Sequence, residues 1–289
     1  MPSPTKPALL CPLCQQPLVF AEAVAAVPAS LRCPGGHHFD AAKQGYFNFL
    51  VGKGTVFEAD SADMVAARYD FLDSGHYDAL ADAVAEAVYP ALSGEAPLIL
   101  DSGTGTGHYL RRVLDRMRPD GRVGALAMDI SKFAVRRAAR LNPEAVNLVA
   151  DIWQPLPVPE HSLDAIMVVF APRNVSGFAR ALRPGGRLVV VTPRPGHLSE
   201  IAAATGMLQI EEGKDVRLAA QMAGHFDKVD VLDLDVVMDL DASEVADLAF
   251  MGPAGHHLDR SATAATLPVQ ATTRVTAQFR ITTFQPAVS

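Results

Sequence analysis

The stretch Leu98-Ile-Leu-Asp101-Ser-Gly103-Thr-Gly105-Thr-Gly107-His108 reads as a short apolar strand, an acid, three glycines at alternate positions and the start of a helix. Glycines so spaced let the backbone turn tightly and let a ligand approach the main chain at the carboxyl end of a strand, the usual crevice of an open α/β sheet. Alone, a loop of this kind is a weak signal. Its followers strengthen it. Asp129 ends the next strand, Leu126-Ala-Met-Asp129, where a carboxylate can accept from both hydroxyls of a ribose. Asp151 ends the third, in Val149-Ala-Asp151-Ile-Trp-Gln-Pro-Leu-Pro, where it can accept from an exocyclic amine while Ile152 or Trp153 covers a purine face.

Working outward, apolar runs at Leu98–Leu100, Val123–Met128, Val146–Ala150, Ala165–Phe170 and Leu188–Thr192 alternate with helix-compatible or turn segments, which predicts a parallel sheet of right-handed βαβ units. Two longer strands, Val229–Leu240 and Thr273–Phe284, with a helix at Ser243–Phe250 between them, close the edge and bring the expected sheet to seven strands. Upstream, apolar residues from Met64 to Leu92 recur three or four apart, the spacing of amphipathic helix, divided at Gly75.

The ligand this loop suits is nucleoside-like, and two candidates compete. A dinucleotide site would use G-x-G-x-x-G with a pyrophosphate on the helix N-terminus, whereas this loop is G-x-G-x-G and opens on Asp101, an acid suited to a cationic or ammonium-bearing ligand. S-adenosylmethionine fits better. The bland reading, in which Asp129 and Asp151 cap the following helices, leaves their common position at strand ends unexplained.

All three cysteines lie near the start, in Cys11-Pro-Leu-Cys14 and Cys33-Pro-Gly-Gly-His37. Two tight turns presenting three thiolates and an imidazole suit tetrahedral zinc, with His37 favoured over His38 by spacing. Four protein ligands close the site, so the metal is read as structural and the chemistry is expected elsewhere. The chain has 289 residues, 49% hydrophobic, and a net charge of −7, which argues mildly against a general nucleic-acid coat. Residues 1–53 hold four basic side chains (Lys6, Arg32, Lys43, Lys53) against two acidic ones (Glu22, Asp40), so this segment could dock RNA locally. With no signal peptide and no apolar run near ~18 residues, a cytoplasmic protein without a membrane partner is expected.

The glycine loop and its acids resemble those of the class I, seven-stranded S-adenosylmethionine-dependent methyltransferases over roughly residues 60–289. The N-terminal part narrows this. Cys11-x2-Cys14, Cys33-Pro-x2-His37-x-Phe39-Asp40, Ala42-Lys43-x-Gly45-Tyr46, Asp60-Ser61-x2-Met64 and Ala67-Arg68-x2-Phe71-Leu72-x2-Gly75-His76-Tyr77 together resemble the guanine-N1 methyltransferases of 23S ribosomal RNA, a family with housekeeping members and members conferring resistance to macrolides such as tylosin. The resemblance implies zinc on Cys11, Cys14, Cys33 and His37, and cofactor contacts from Tyr77, Gly105, Thr106 and His197. The residues themselves add Asp101, Gly103, Gly107, Asp129, Asp151 and Ile152 to the expected cofactor set.

Three regions are expected: a zinc-binding, RNA-recognising module at 1–55, a helical linker contributing to the cofactor pocket at 56–95, and the methyltransferase domain at 96–289. The target base should meet the loop after the fourth strand, Phe170-Ala-Pro172-Arg173-Asn174, with Arg173 or Asn174 bonding guanine O6 or N7. Asp164 reads as a strand-start residue, and His256 and His257 could line the entrance. No general base is identified. The substrate implied is a hairpin loop of 23S ribosomal RNA, and a homodimer is expected only through the resemblance. Two other classes stay open: a methyltransferase of a small molecule or another RNA, and a non-catalytic, zinc-stapled RNA-binding protein.

Overall fold

The structure is a computed structural model that describes residues 6–24, 29–52, 54–118, 123–207, 213–258, 260 and 272–287. The chain begins with β1 (Leu9–Leu10), β2 (Pro17–Ala21), β3 (Ser30–Arg32) and β4 (His38–Asp40), a small antiparallel sheet in that order. β5 (Phe47–Asn48) follows, then α1 (Ala62–Asp73) and α2 (Asp78–Val88). Ser61 caps α1 by accepting from the Met64 amide at 3.2 Å, and Gly75, at φ +83°, takes the left-handed turn that parts the two helices.

The remaining elements are β6 (Leu98–Ser102), α3 (His108–Met117), β7 (Gly124–Asp129), α4 (Lys132–Leu141), β8 (Val146–Val149), β9 (Leu163–Val169), α5 (Val175–Ala181) and β10 (Leu182–Pro193). After these come α6 (Ser199–Thr205), α7 (Lys214–Met222), β11 (Phe226–Leu240), α8 (Ala242–Phe250) and β12 (Thr273–Pro286). The large sheet runs β11-β12-β10-β9-β6-β7-β8-β5, with β12 antiparallel to both its neighbours.

Among the described residues this sheet has eight strands, one more than the seven expected. The addition is β5, which pairs parallel to β8 with Phe47 opposite Leu148 and Asn48 opposite Val149. Two residues carry no periodicity, so this pairing has no signature in the sequence. Because β5 lies within the expected 1–55 region, the metal-bearing segment and the main sheet share an element.

Strands β6 to β9 are buried on both faces, as parallel strands sandwiched between layers must be. Ile99, Ala125, Ala127 and Met167 point into a core shared with α2 and α3. Leu98, Leu100, Leu126 and Met128 point the other way, into a core that includes Phe178 of α5 and Leu9, Leu31 and Phe39 of the small sheet. The N-terminal module thus packs on the α5 face of the sheet. Asp164, on β9, accepts from the Leu98 amide at 2.8 Å and pairs with Arg183, a structural use.

Candidate cofactor cavity and metal centre

Cys11, Cys14, Cys33 and His37 converge, their ligand atoms all within 4.8 Å of one another. The turns that hold them are built from backbone bonds, Cys11 N–H to Gln16 O at 2.8 Å and Cys33 N–H to His37 O at 3.1 Å. Gly36, at φ +83°, turns the second loop. Cys14 Sγ lies 3.6 Å from Cys33 Sγ, and His37 Nδ1 lies 3.5 Å from Cys11 Sγ and 3.4 Å from Cys33 Sγ. Metal–ligand lengths of about 2.3 Å for sulfur and 2.0–2.1 Å for nitrogen, at tetrahedral angles, put ligand atoms about 3.5–3.8 Å apart. The donor set therefore fits zinc in both chemistry and spacing. His38 points away and pairs with Asp40 at 3.0 Å.

A cavity of about 1,040 Å³ opens at the carboxyl ends of the central strands. β6, the first parallel strand of the domain in chain order, lies between β9 and β7, so the crevice sits where the winding direction reverses. Of the residues expected to bind a cofactor, Tyr77, Gly103, Gly105, Thr106, Asp129, Asp151, Ile152 and His197 line it. Asp101 and Gly107 are not among its walls. Asp101 is buried beneath the loop, where the Thr104 hydroxyl donates to it at 2.6 Å. Burial pushes its carboxyl up to about 7, against that hydrogen bond and with help from the neighbouring Asp129 charge. Gly107 faces α4 instead: a Cβ there would lie 2.5 Å from Asn142 Nδ2, the atom that donates to the Gly107 carbonyl.

Asp129 is fixed by two amides, Gly105 N–H at 2.9 Å and Ser131 N–H at 2.8 Å. Burial raises its pKa and these two bonds oppose the rise. A carboxylate has about four acceptor positions, so the pair leaves room for two hydroxyls. Asp151 accepts from Thr55 Oγ1 at 3.0 Å and from the Trp153 amide at 2.9 Å. Thr55 comes from the stretch before α1, a contact the sequence did not announce.

At the opposite end, Tyr77 stacks edge-on against Phe71 and Phe279, with ring centres 5.2 and 5.0 Å away. His197 Nδ1 lies 3.0 Å from the Gln278 carbonyl and 3.1 Å from the Gln278 amide, so the Gln278 backbone holds that edge of the ring. Burial lowers its pKa to about 4, so the ring is neutral at physiological pH. The buried hydroxyls of Ser102 and Thr192, both in the cavity wall, have no hydrogen-bond partner among the described residues. Orphaned polar groups at the end opposite Asp151 suit a ligand bearing an amine and a carboxylate. With the acids at the other end, the walls fit S-adenosylmethionine.

The loop after β9 divides its expected roles. Asn174 caps α5, accepting from the Gly177 amide at 3.0 Å and donating to the Ile152 carbonyl at 2.8 Å, and it does not line the cavity. These bonds give the Asn174 side chain a structural use in the fold. Arg173 does line the cavity, held by Gln221 at 3.4 Å, and burial lowers its pKa. Phe170, 46% exposed, sits at φ +56°, a left-handed conformation uncommon for a bulky residue. Its ring lies 5.6 Å from Phe279. At the other lip, Phe57 and Trp153 are exposed with ring centres 6.2 Å apart. Arg68 of α1 ties the entrance together, bonded to Asp60 and the Met251 carbonyl. His256 is also in the wall, 3.4 Å from Glu58, whereas His257 is not.

No helix among the described residues is long and apolar enough to cross a membrane. The zinc-ribbon family described as RlmA, N-terminal, matches residues 9–51, and the methyltransferase domain family matches residues 99–186. A 23S rRNA (guanine(748)-N(1))-methyltransferase of Streptomyces fradiae is 43% identical over 252 residues, covering 87% of this chain and 86% of its own. A Micromonospora griseorubida protein assigned as a 23S rRNA (guanine-N(1)-)-methyltransferase is 42% identical over 97% of this chain and 98% of its own. Among solved structures, a chain from the complex of the Haloferax volcanii Trm112 methyltransferase activator with a methyltransferase superposes with a TM-score of 0.50 at 18% identity. It covers 80% of this chain and 100% of its own, a likeness of fold.

Proposed function

We propose, from the premise that this chain belongs to the 23S rRNA (guanine-N1)-methyltransferase family, that it transfers a methyl group from S-adenosylmethionine to N1 of one guanine in large-subunit ribosomal RNA. The guanine is the counterpart of position 748, which the Streptomyces fradiae relative modifies, presented in a hairpin loop in the cytoplasm. Methylation there would alter the sensitivity of ribosomes to macrolides.

The observation that carries the reading is the continuous cavity running from Asp151 past Asp129 to His197, with Phe170 and Arg173 beside it. In this assignment Asp151 and Ile152 hold the adenine, Asp129 the ribose diol, and Tyr77 and the His197 ring the methionine end. Gly103, Gly105 and Thr106 let the cofactor lie on the main chain. When bound, S-adenosylmethionine supplies an electrophilic sulfonium methyl. Guanine N1 must give up its proton to solvent before or during the attack, which places negative charge on N1 and O6. That charge is quenched as the N1–C bond forms and the S–C bond of the methyl donor breaks, leaving a neutral thioether. Arg173, partly desolvated, donates to O6 and stabilises that charge, the kind of preorganised electrostatic help that dominates many active sites. Phe170 offers its exposed ring to the unstacked base. Cys11, Cys14, Cys33 and His37 hold zinc and keep the N-terminal module folded against the sheet.

Purified protein with labelled S-adenosylmethionine and unmodified 23S RNA tests this, with Asp129→Asn and Arg173→Gln in parallel. Label should enter the RNA with the wild-type protein. Asp129→Asn should raise the cofactor dissociation constant, whereas Arg173→Gln should lower turnover at saturating cofactor. Transfer to small molecules but not to RNA would overturn the substrate assignment.

A further inference from the structure

We infer that the exposed face of α4 is a phosphate-binding rail for the RNA strand that reaches the cavity. The inference rests on the RNA-methylating reading above. Lys132, Arg136 and Arg140 fall four residues apart, so they form one stripe along the helix, and all three are exposed. Among the described residues none of them faces a carboxylate. Arg137, beside the stripe, lies over the Tyr69 ring at 4.5 Å, also without a carboxylate.

The contrast with the neighbouring helix α3 is what gives the stripe meaning. On α3 and its C-cap, Arg111 pairs with Glu144, Arg112 with Asp78 and Asp82, and Arg118 with Asp115. Elsewhere Arg183, Arg194 and Arg280 pair with Asp164, Asp233 and Asp215. A net charge of −7 leaves no shortage of acids, yet α4 has none in its sequence. Like charges four apart on a helix repel, and Lys132 stands at the positive end of the helix dipole. Both features oppose the isolated helix and both are relieved by an external polyanion.

Position supports the same partner. Ile130, two residues before α4, is a cavity wall residue, and Ser131 Oγ bonds the Asp60 carbonyl in the segment that rims the entrance. From Lys132 to Arg140 the helix rises about 12 Å, the length of several successive phosphates on a strand. The α4 rail lies on the α3 face of the sheet and the zinc module on the α5 face, so a strand touching both crosses the carboxyl edge where the cavity opens. Within the module, Lys6 already pairs with Glu22, Arg32 and Lys43 are exposed, and Lys53 lies outside the described residues.

The test compares wild type with K132Q/R136Q/R140Q and with R111Q/R112Q/R118Q, which removes the same charge from α3 and its C-cap. Binding of a fluorescent 23S hairpin RNA is measured over a salt series, with cofactor affinity and melting temperature alongside. The α4 variant should bind about tenfold or more weakly, and its log K against log salt slope should shrink by about 2 to 3, roughly 0.7–0.9 for each phosphate no longer neutralised. Cofactor affinity and melting temperature should hold, and the α3 variant should keep the wild-type slope. An unchanged slope in the α4 variant, or an equal loss in the α3 variant, overturns the rail. If wild type itself neither binds nor methylates the RNA, the functional reading fails instead.

Discussion

Replacing Gly103 by Ala should disable the cofactor loop in a way that a second, specific substitution repairs. Gly103 is at φ +77°, and a Cβ built there lies 2.2 Å from the Cβ of Ala171. Its amide also donates to the Met128 carbonyl at 2.8 Å, which ties the loop to β7 and limits its retreat. The left-handed backbone costs a non-glycine residue about 1–2 kcal/mol, and overpacking against a neighbour that cannot swing aside costs about 1–3 kcal/mol. Gly103→Ala should therefore destabilise by about 2–5 kcal/mol. Ala171→Gly removes the obstructing atom but not the backbone strain. The double variant should recover about 1–3 kcal/mol, read as the coupling energy of a double-mutant cycle in urea denaturation. Cofactor affinity by calorimetry should fall in the single variant and partly return in the double. A coupling energy indistinguishable from zero would refute the proposed steric cause.

Three further outcomes are expected. Chelating the metal, or replacing Cys11 by Ser, should release zinc to a colorimetric indicator and abolish RNA methylation while cofactor binding persists, because the ligands lie in a module apart from the cavity. His197 is neutral in the folded state, with its pKa lowered by burial from 6.5 to about 4. The unfolded chain therefore takes up the proton first, and the stabilisation present above pH 6.5 is lost as pH falls from 6.5 towards 4. The loss should be about 2–3 kcal/mol after partial solvent screening, and His197→Gln should flatten that part of the stability profile. Phe170→Ala should lower turnover on RNA about 5- to 150-fold, the worth of one base–aromatic stack, with Phe170→Tyr near wild type and cofactor affinity unchanged in both.

Much of the fold was legible because it rests on local signals. The short apolar runs, the glycine loop and the acids at strand ends each announce themselves, and the cysteine spacing pointed to one metal cluster with His37 in preference to His38. What escaped depends on tertiary pairing or backbone angle. β5 is too short to show a period and exists because β8 offers it an edge. Asn174 takes up a cap, as a residue of its type just before a helix is drawn into capping the helix. Asp101 shares the carboxylate chemistry of Asp129, yet its place on β6 turns it beneath the loop, where Thr104 holds it. The strained angle of Phe170, and the absence among the described residues of a carboxylate facing Lys132, Arg136 or Arg140, are visible only once the chain is folded.

The most direct test is to digest the methylated RNA product, identify the modified nucleoside by mass spectrometry, and locate it by primer-extension arrest. The account predicts 1-methylguanosine at a single position, the counterpart of guanine 748, and less of it with Asp129→Asn at limiting cofactor. A methyl group on another base, on another atom of guanine, or on no RNA at all would contradict it.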